Sequence, residues 1–177
     1  MAELPDLIVV IGVSGAGKTT LAIELAHRLQ RPMLDADDLH PPENRRKLNA
    51  GIPLTDTDRA PWMRAVCARL AAAADAGEPL VLAHSGLRRH HRAALRMQGQ
   101  SSAFVLLEGS FELLTARLEA RQGHFMAASL LRSQFNAFQP TDGEPDVIPI
   151  DPALTTADQA DACLHALHHL HEGNSAP

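Results

Sequence analysis

Gly12 to Thr19 read GVSGAGKT, glycines at fixed intervals followed by a lysine and a hydroxyl residue. The spacing G-x-x-x-x-G-K-[ST] suits a loop that wraps phosphate. Gly12, Gly15 and Gly17 permit positive φ, so the backbone N–H groups of Ser14, Ala16, Lys18, Thr19, Thr20 and the glycines themselves can converge on phosphate oxygens. A helix opening near Lys18 would add the positive end of its dipole. Lys18 can reach the β- and γ-phosphates, and Thr19 can offer its hydroxyl to Mg²⁺. A chance glycine turn is the plain alternative. Two correctly spaced glycines followed by Lys and Thr arise by chance in well under ~1% of chains of this length. The residues point to binding of a nucleoside triphosphate.

A second stretch, LDADDLHPPENRRKL at 34–48, concentrates carboxylates, a histidine and cations directly after an apolar segment. Asp35 and Asp37 are one residue apart at a strand end, so both point the same way. Beside a triphosphate, Asp35 can hold Mg²⁺ through water while Asp37 accepts the proton of an attacking hydroxyl. A solvated acidic turn is the alternative, and it fits Asp38. His40 and Lys47 suit an anionic, hydroxyl-rich substrate, whereas Arg45 and Arg46 read as a solvated basic helix face. A switch GTPase would carry an Asn-Lys-x-Asp segment and a D-x-x-G after a strand, and neither is placed here. The acidic strand end favours a small-molecule kinase.

These residues need a frame. Apolar runs at 7–12, 32–35, 79–85, 103–109 and 146–150 read as strands, and 19–29, 65–76, 111–121 and 155–172 carry helical patterns. The alternation predicts an α/β fold, a five-stranded parallel sheet with helices on both faces, in a single domain over 1–177. Carboxyl ends of such strands face the ligand crevice. Two segments interrupt the pattern: a polar stretch with four prolines at 40–62, and a Gly-His-Phe break within 121–135. They predict a substrate-binding helical insertion over about 40–76 and a lid over about 121–138. The end, 173–177, reads as frayed.

Composition excludes several classes. Net charge is −5, and aromatics are 3% with no tyrosine, so nucleic acid is not an expected partner. The longest apolar run, LIVVI, is too short to span a bilayer. MAELPD lacks a basic n-region and a cleavage site, and Cys67 and Cys163 form no framework, so a cytoplasmic protein is expected. Both cysteines read as small core residues. His165, His168 and His169 near the C-terminus read as a solvated or half-buried helix face rather than a zinc site.

LDADDLHPPENRRKLNAGIPLTDTDRAPW at 34–62 resembles the signature of the gluconate kinases. That family shows Asp-Gly-Asp-x-x-His-Pro, Asn-x-x-Lys and Gly-x-Pro-Leu-x-Asp-x-Asp-Arg-x-Pro-Trp. Asp35, Asp37, His40, Asn44, Lys47, Gly51, Asp56, Asp58, Arg59 and Trp62 are among the matches. SGLRRHHRAALR at 85–96 is similar to the family's Ser-Ala-Leu-Lys segment, and 117–135 to its lid with Gly-His-Phe and Ser-Gln-Phe. The resemblance implies a P-loop nucleoside-kinase-like fold and ATP-dependent phosphorylation of D-gluconate to 6-phosphogluconate, with ATP and Mg²⁺ as cofactors. It implies Asp37 as base, Asp35 on the magnesium side, and His40, Lys47, Arg59, Arg88, Arg92 and His124 as substrate contacts. Arg117 and Arg121 would be lid arginines, one near the adenine and one neutralising charge on the γ-phosphoryl group. It also implies a homodimer. From the residues alone, Asp56, Asp58 and Arg59 could equally be a capping and salt-bridge cluster, and Trp62 reads as core.

The chain departs from that pattern on the substrate side. His84-Ser85-Gly86-Leu87-Arg88 stands where the family has Cys-Ser-Ala-Leu-Lys, His91 replaces a tyrosine, and Ala93 an aspartate. Arg for Lys keeps the charge and changes the geometry. Two other readings therefore stand beside gluconate: a kinase of another small hydroxy acid such as shikimate, or an ATP-binding module without turnover.

Overall fold

The computed structural model describes residues 4–120 and 128–172. Five parallel strands form one sheet: β1 (Leu7–Ile11), β2 (Met33–Asp35), β3 (Leu80–Ala83), β4 (Ser102–Leu107) and β5 (Val147–Ile150), in the order β2-β3-β1-β4-β5. Every pairing is parallel, with Val10 opposite Ala83 and Val105. The helices are α1 (Lys18–Leu29), α2 (Pro42–Asn49), α3 (Asp56–Asp75), α4 (Arg89–Arg96), α5 (Phe111–Ala120), α6 (Ala128–Ala137) and α7 (Thr156–Glu172).

The central strands are buried on both faces, so they read as unbroken apolar runs. Alternate residues feed two cores. Ile8, Val10, Val81 and Val105 pack with Leu21, Leu25 and Leu167 of α1 and α7. Leu7, Val9, Leu82 and Phe104 pack with Trp62, Val66, Leu70 and Leu95 of α3 and α4. Burying one such side chain contributes about 1.5–3 kcal/mol. Pro149 lies inside β5 but is exposed, and β5 is an edge strand where a missing donor costs little.

The polar stretch at 40–62 folds into more helix than its prolines suggest. A 3₁₀ turn, Ala36–Leu39, follows β2 directly, and α2 begins with Pro42 at a first-turn position that needs no N–H. α3 starts with a capping box: Thr55 Oγ1 accepts from the Asp58 N–H, and Asp58 Oδ2 accepts from the Thr55 N–H. That start lets the helix run through Pro61, whose orphaned partner carbonyl belongs to exposed Thr57. Strand β3 ends at Ala83, earlier than the run to 85 suggests, although the His84 N–H still donates to the Val10 carbonyl and the Ser85 carbonyl accepts from the Gly12 N–H.

Candidate active site

The phosphate loop is set by backbone geometry. β1 delivers the chain to Gly12, at φ 147°, where a Cβ would lie 2.8 Å from the Leu107 carbonyl oxygen. Only glycine fits both that angle and that contact. Gly17 closes the loop in the left-handed region at φ 99°, and α1 begins at Lys18. The loop amides and the helix N-terminus thus share one concavity. Ala16 is buried, and Thr19 and Thr20 are exposed on the first turn of α1.

Thr19 Oγ1 donates to Asp35 Oδ2 at 2.7 Å, and Asp35 Oδ1 accepts from the Asp37 N–H at 3.0 Å. One carboxylate therefore ties the phosphate loop to the segment after β2. A hydroxyl beside a carboxylate is a hard-oxygen donor set of the kind Mg²⁺ takes together with phosphate oxygens and water, so these residues fit that ion. Among the described residues, no group of three or more His, Cys, Asp or Glu is placed to hold a metal.

An open cleft of about 660 Å³ runs from the loop to the insertion, and Ser14, Lys18, Asp37, His40, Arg59 and Ser85 line it. His40 and Trp62 line it and head a stack of three rings: His40 lies on Trp62 with centroids 4.4 Å apart, and Trp62 on the buried His84 at 4.6 Å. Trp62 Nε1 donates to the Ala36 carbonyl at 2.6 Å, which holds the indole under the 3₁₀ turn. Trp62 is core, as expected, and a wall of the cleft as well. Burial pushes the imidazole of His84 down to about 3, helped by His91, Lys18 and His40, and that of His91 down to about 4. Both rings are neutral near pH 7.

Arginines gather at the far end. Arg59 lines the cleft and reaches Asp56 Oδ1 at 3.2 Å; Arg88 Nε lies 3.5 Å from the same oxygen. Among the described residues the buried Arg88 Nε makes no hydrogen bond. Burial lowers the pKa of Arg59; Asp56 counters this and Arg88 adds to it. Lys47 pairs with Asp58 Oδ1 at 2.7 Å, which together with the Thr55 cap holds the Asp58 carboxyl down at about 2. Lys47 thus braces α2 against α3, and Asp58 is the N3 carboxylate of the capping box that Thr55 opens.

Arg92 is a correction. Expected among the substrate contacts, it is fully buried, with its guanidinium on Glu144 and on the carbonyls of Gly86, Gln139 and Pro140. It fastens α4 to the chain leading into β5. Arg96 adds bonds to Glu144 and Asp146. Arg117, on α5, donates to the Pro152 carbonyl at the start of the β5–α7 loop. Arg121 and His124 lie outside the described residues, as do part of the lid segment and the end at 173–177. Cys163 is buried and Cys67 half-buried, and burial pushes the Cys163 thiol up to about 12. His165, His168 and His169 are exposed on α7.

The structure adds a residue to which no role was assigned from sequence. Gln134 of α6 accepts from the Ser14 N–H through Oε1 at 2.7 Å, and with Ser133 it lines the cleft. The Ser-Gln-Phe match was its only signal, and nothing in that run says it would meet a residue 120 positions away. No described helix is long and apolar enough to cross a membrane.

A family model described as an AAA domain matches residues 7–141. The gluconokinase of Gluconobacter oxydans (strain 621H) is 46% identical over 146 residues, 82% of each chain. The thermoresistant gluconokinase of Escherichia coli (strain K12) is 38% identical, over 82% of this chain and 83% of its own. The crystal structure of a gluconokinase from Sinorhizobium meliloti 1021 superposes with a TM-score of 0.88 at 41% identity, covering 97% of this chain and 96% of that one. With sequence similarity over most of each chain and one fold shared from loop to final helix, the chain belongs to the gluconokinase family of kinases.

Proposed function

We propose that this chain transfers the γ-phosphoryl group of ATP to a hydroxyl of D-gluconate, giving 6-phospho-D-gluconate and ADP. The observation that carries this reading is the link through Asp35. Two residues along the chain, Asp37 faces the same cleft as Lys18, so a hydroxyl held by Asp37 sits beside the triphosphate.

The roles follow from the groups present. The loop amides and Lys18 bind the β- and γ-phosphates. Thr19 and Asp35 would hold Mg²⁺, which supplies neutralisation of the phosphate charge. Asp37 orients the substrate hydroxyl in line and accepts its proton as the new O–P bond forms and the β,γ bridge breaks. Arg59 and Arg88, two guanidiniums around the single carboxylate of Asp56, suit a second carboxylate from the sugar acid. His40 lines the cleft beside Asp37. Arg117 and Arg121 steady the nucleotide, and closure of the lid keeps water from the γ-phosphate.

The test is ADP release by the purified protein with Mg-ATP against gluconate, other aldonates, shikimate and no acceptor. Release with gluconate alone is expected. Release with another acid alone overturns the substrate and keeps the chemistry. ATP binding without release on any acceptor favours a nucleotide-binding module.

A further inference from the structure

The orientation of one buried amide dictates which nitrogen of His40 carries its proton. Asn44 is 3% exposed, on α2. Its Nδ2 lies 2.8 Å from the carbonyl oxygen of Asp58 and 3.2 Å from His40 Nδ1. A backbone carbonyl only accepts, so the Asn44 group facing it must be the NH₂ and not the amide oxygen. The second N–H of that NH₂ then points at His40 Nδ1, which must accept. A neutral imidazole that accepts at one nitrogen carries its proton on the other. His40 is therefore the Nε2–H tautomer.

The remaining freedom of the ring is also removed. Its plane is set by the stack on Trp62, at 15°. Its backbone N–H donates to the Asp37 carbonyl, and its carbonyl accepts from Arg45 Nε. With plane, backbone and in-plane rotation held, Nε2–H faces Asp37 Oδ1 at 3.9 Å, on the cleft wall. The imidazolium is disfavoured too, because its Nδ1–H would oppose the Asn44 donor. Burial lowers the His40 pKa in the same sense, against the pull of Asp37.

We propose that Asn44 is a positioning residue for phosphoryl transfer: by fixing His40 as an Nε2–H donor it aims that proton at one oxygen of Asp37, across 3.9 Å that is longer than a hydrogen bond here and tightens to one in the substrate complex, leaving the other oxygen to take the substrate proton. This rests on the reading of Asp37 as the base. In the opposite tautomer, the Nε2 lone pair would face a carboxylate lone pair, and Asp37 would turn from the cleft. His84, on the other face of Trp62, is locked the same way. Its Nδ1 accepts from the Gly86 N–H at 2.8 Å, and a backbone N–H only donates, so Nε2–H faces Met63 Sδ at 3.3 Å.

The experiment reads the tautomer directly. In ¹⁵N-labelled protein the ring nitrogens of His40, assigned by their loss in His40→Gln, should show a protonated Nε2 and a bare Nδ1. Asn44→Asp keeps the shape and turns the donor into an acceptor. It should move the proton to Nδ1 and lower kcat for gluconate by roughly 10- to 100-fold, the usual scale for a residue acting through another, with the KM for ATP unchanged. Asn44→Leu removes the donor without supplying an acceptor, and should lose less kcat than Asn44→Asp while melting no higher. A wild-type spectrum with protonated Nδ1 overturns the proposal whether or not either variant folds. So does an Asn44→Asp protein with an inverted tautomer and wild-type kcat, or equal kcat losses in Asp and Leu that track melting temperature. If the wild type phosphorylates no sugar acid, the gluconate reading fails, and the spectrum still decides the tautomer.

Discussion

On one side of the cleft, Gly12, Gly15 and Gly17 shape a cradle of backbone amides inside a single strand–loop–helix unit. On the other, His40, Arg59 and Ser85 reach the same space from three separate pieces of chain. The first wall depends on dihedral angles that neighbouring residues impose. The second depends on side chains held by particular partner side chains: the indole of Trp62 under His40, and the carboxylate of Asp56 one turn back from Arg59. A local wall tolerates change elsewhere in the protein. An assembled wall transmits it, because each of its side chains is fixed by another.

The contrast is tested most strongly at Asp37. Asp37→Asn should lower kcat by about 10²–10⁴-fold, the range for a general base, while the loop still binds ATP with near-normal affinity. Near-normal turnover would remove Asp37 as base. Next comes the buried ion cluster behind the assembled wall. Glu144→Gln leaves Arg92 buried with its charge uncompensated, at a cost of about 3–5 kcal/mol in urea unfolding. An unchanged unfolding midpoint would show that Arg92 is not held by Glu144. Arg59→Ala should raise the gluconate KM by roughly 10- to 100-fold, the value of a charge-assisted bond, and leave the ATP KM alone. A rise in the ATP KM instead would blur the division between the walls.

Gly12→Ala probes the local wall, where the added methyl meets a backbone oxygen that cannot step aside. About 1–3 kcal/mol of stability should be lost, with ATP affinity falling and the tautomer of His40 unchanged. The smallest effect is on pH dependence. His84 and His91 have folded pKa values of about 3 and 4, below the ordinary 6.5, so the unfolded chain takes up protons first. Their contribution is full above pH 6.5 and is lost as pH falls toward 4. Glu144, at about 2 against an ordinary 4.5, extends the loss into stronger acid. His84→Phe should flatten the upper part of that curve in chemical unfolding at pH 7, 6 and 5; an unaltered slope would show that His84 does not titrate on unfolding.

Sheet, phosphate loop and the pairing of Asp35 with Asp37 were legible in sequence because each is written in short-range terms. Apolar runs make strands, periodic leucines make helices, and glycine spacing makes a turn. The insertion was harder to read: no helix boundaries were legible within 40–62, and the capping box at Thr55 starts α3, which runs through Pro61. Arg92 was misjudged for a related reason. The family resemblance implied it as a substrate contact, and a motif match does not register its partner, Glu144, which lies 52 residues on.

The amino-acid sequence by itself determined the fold class, the phosphate loop, the acidic strand end and the family, since these depend on local dihedral preference and on motif spacing. Only the tertiary structure decided which cations face the cleft and which are struts, that Gln134 bonds the phosphate loop, and that Asn44 sets the proton on His40. Those outcomes hang on hydrogen-bond partners brought together by the packing of α2, α3, α4 and α6 on the sheet. A buried donor or acceptor takes whichever partner the fold puts within reach, because leaving it unpaired costs more than almost any local preference can offset.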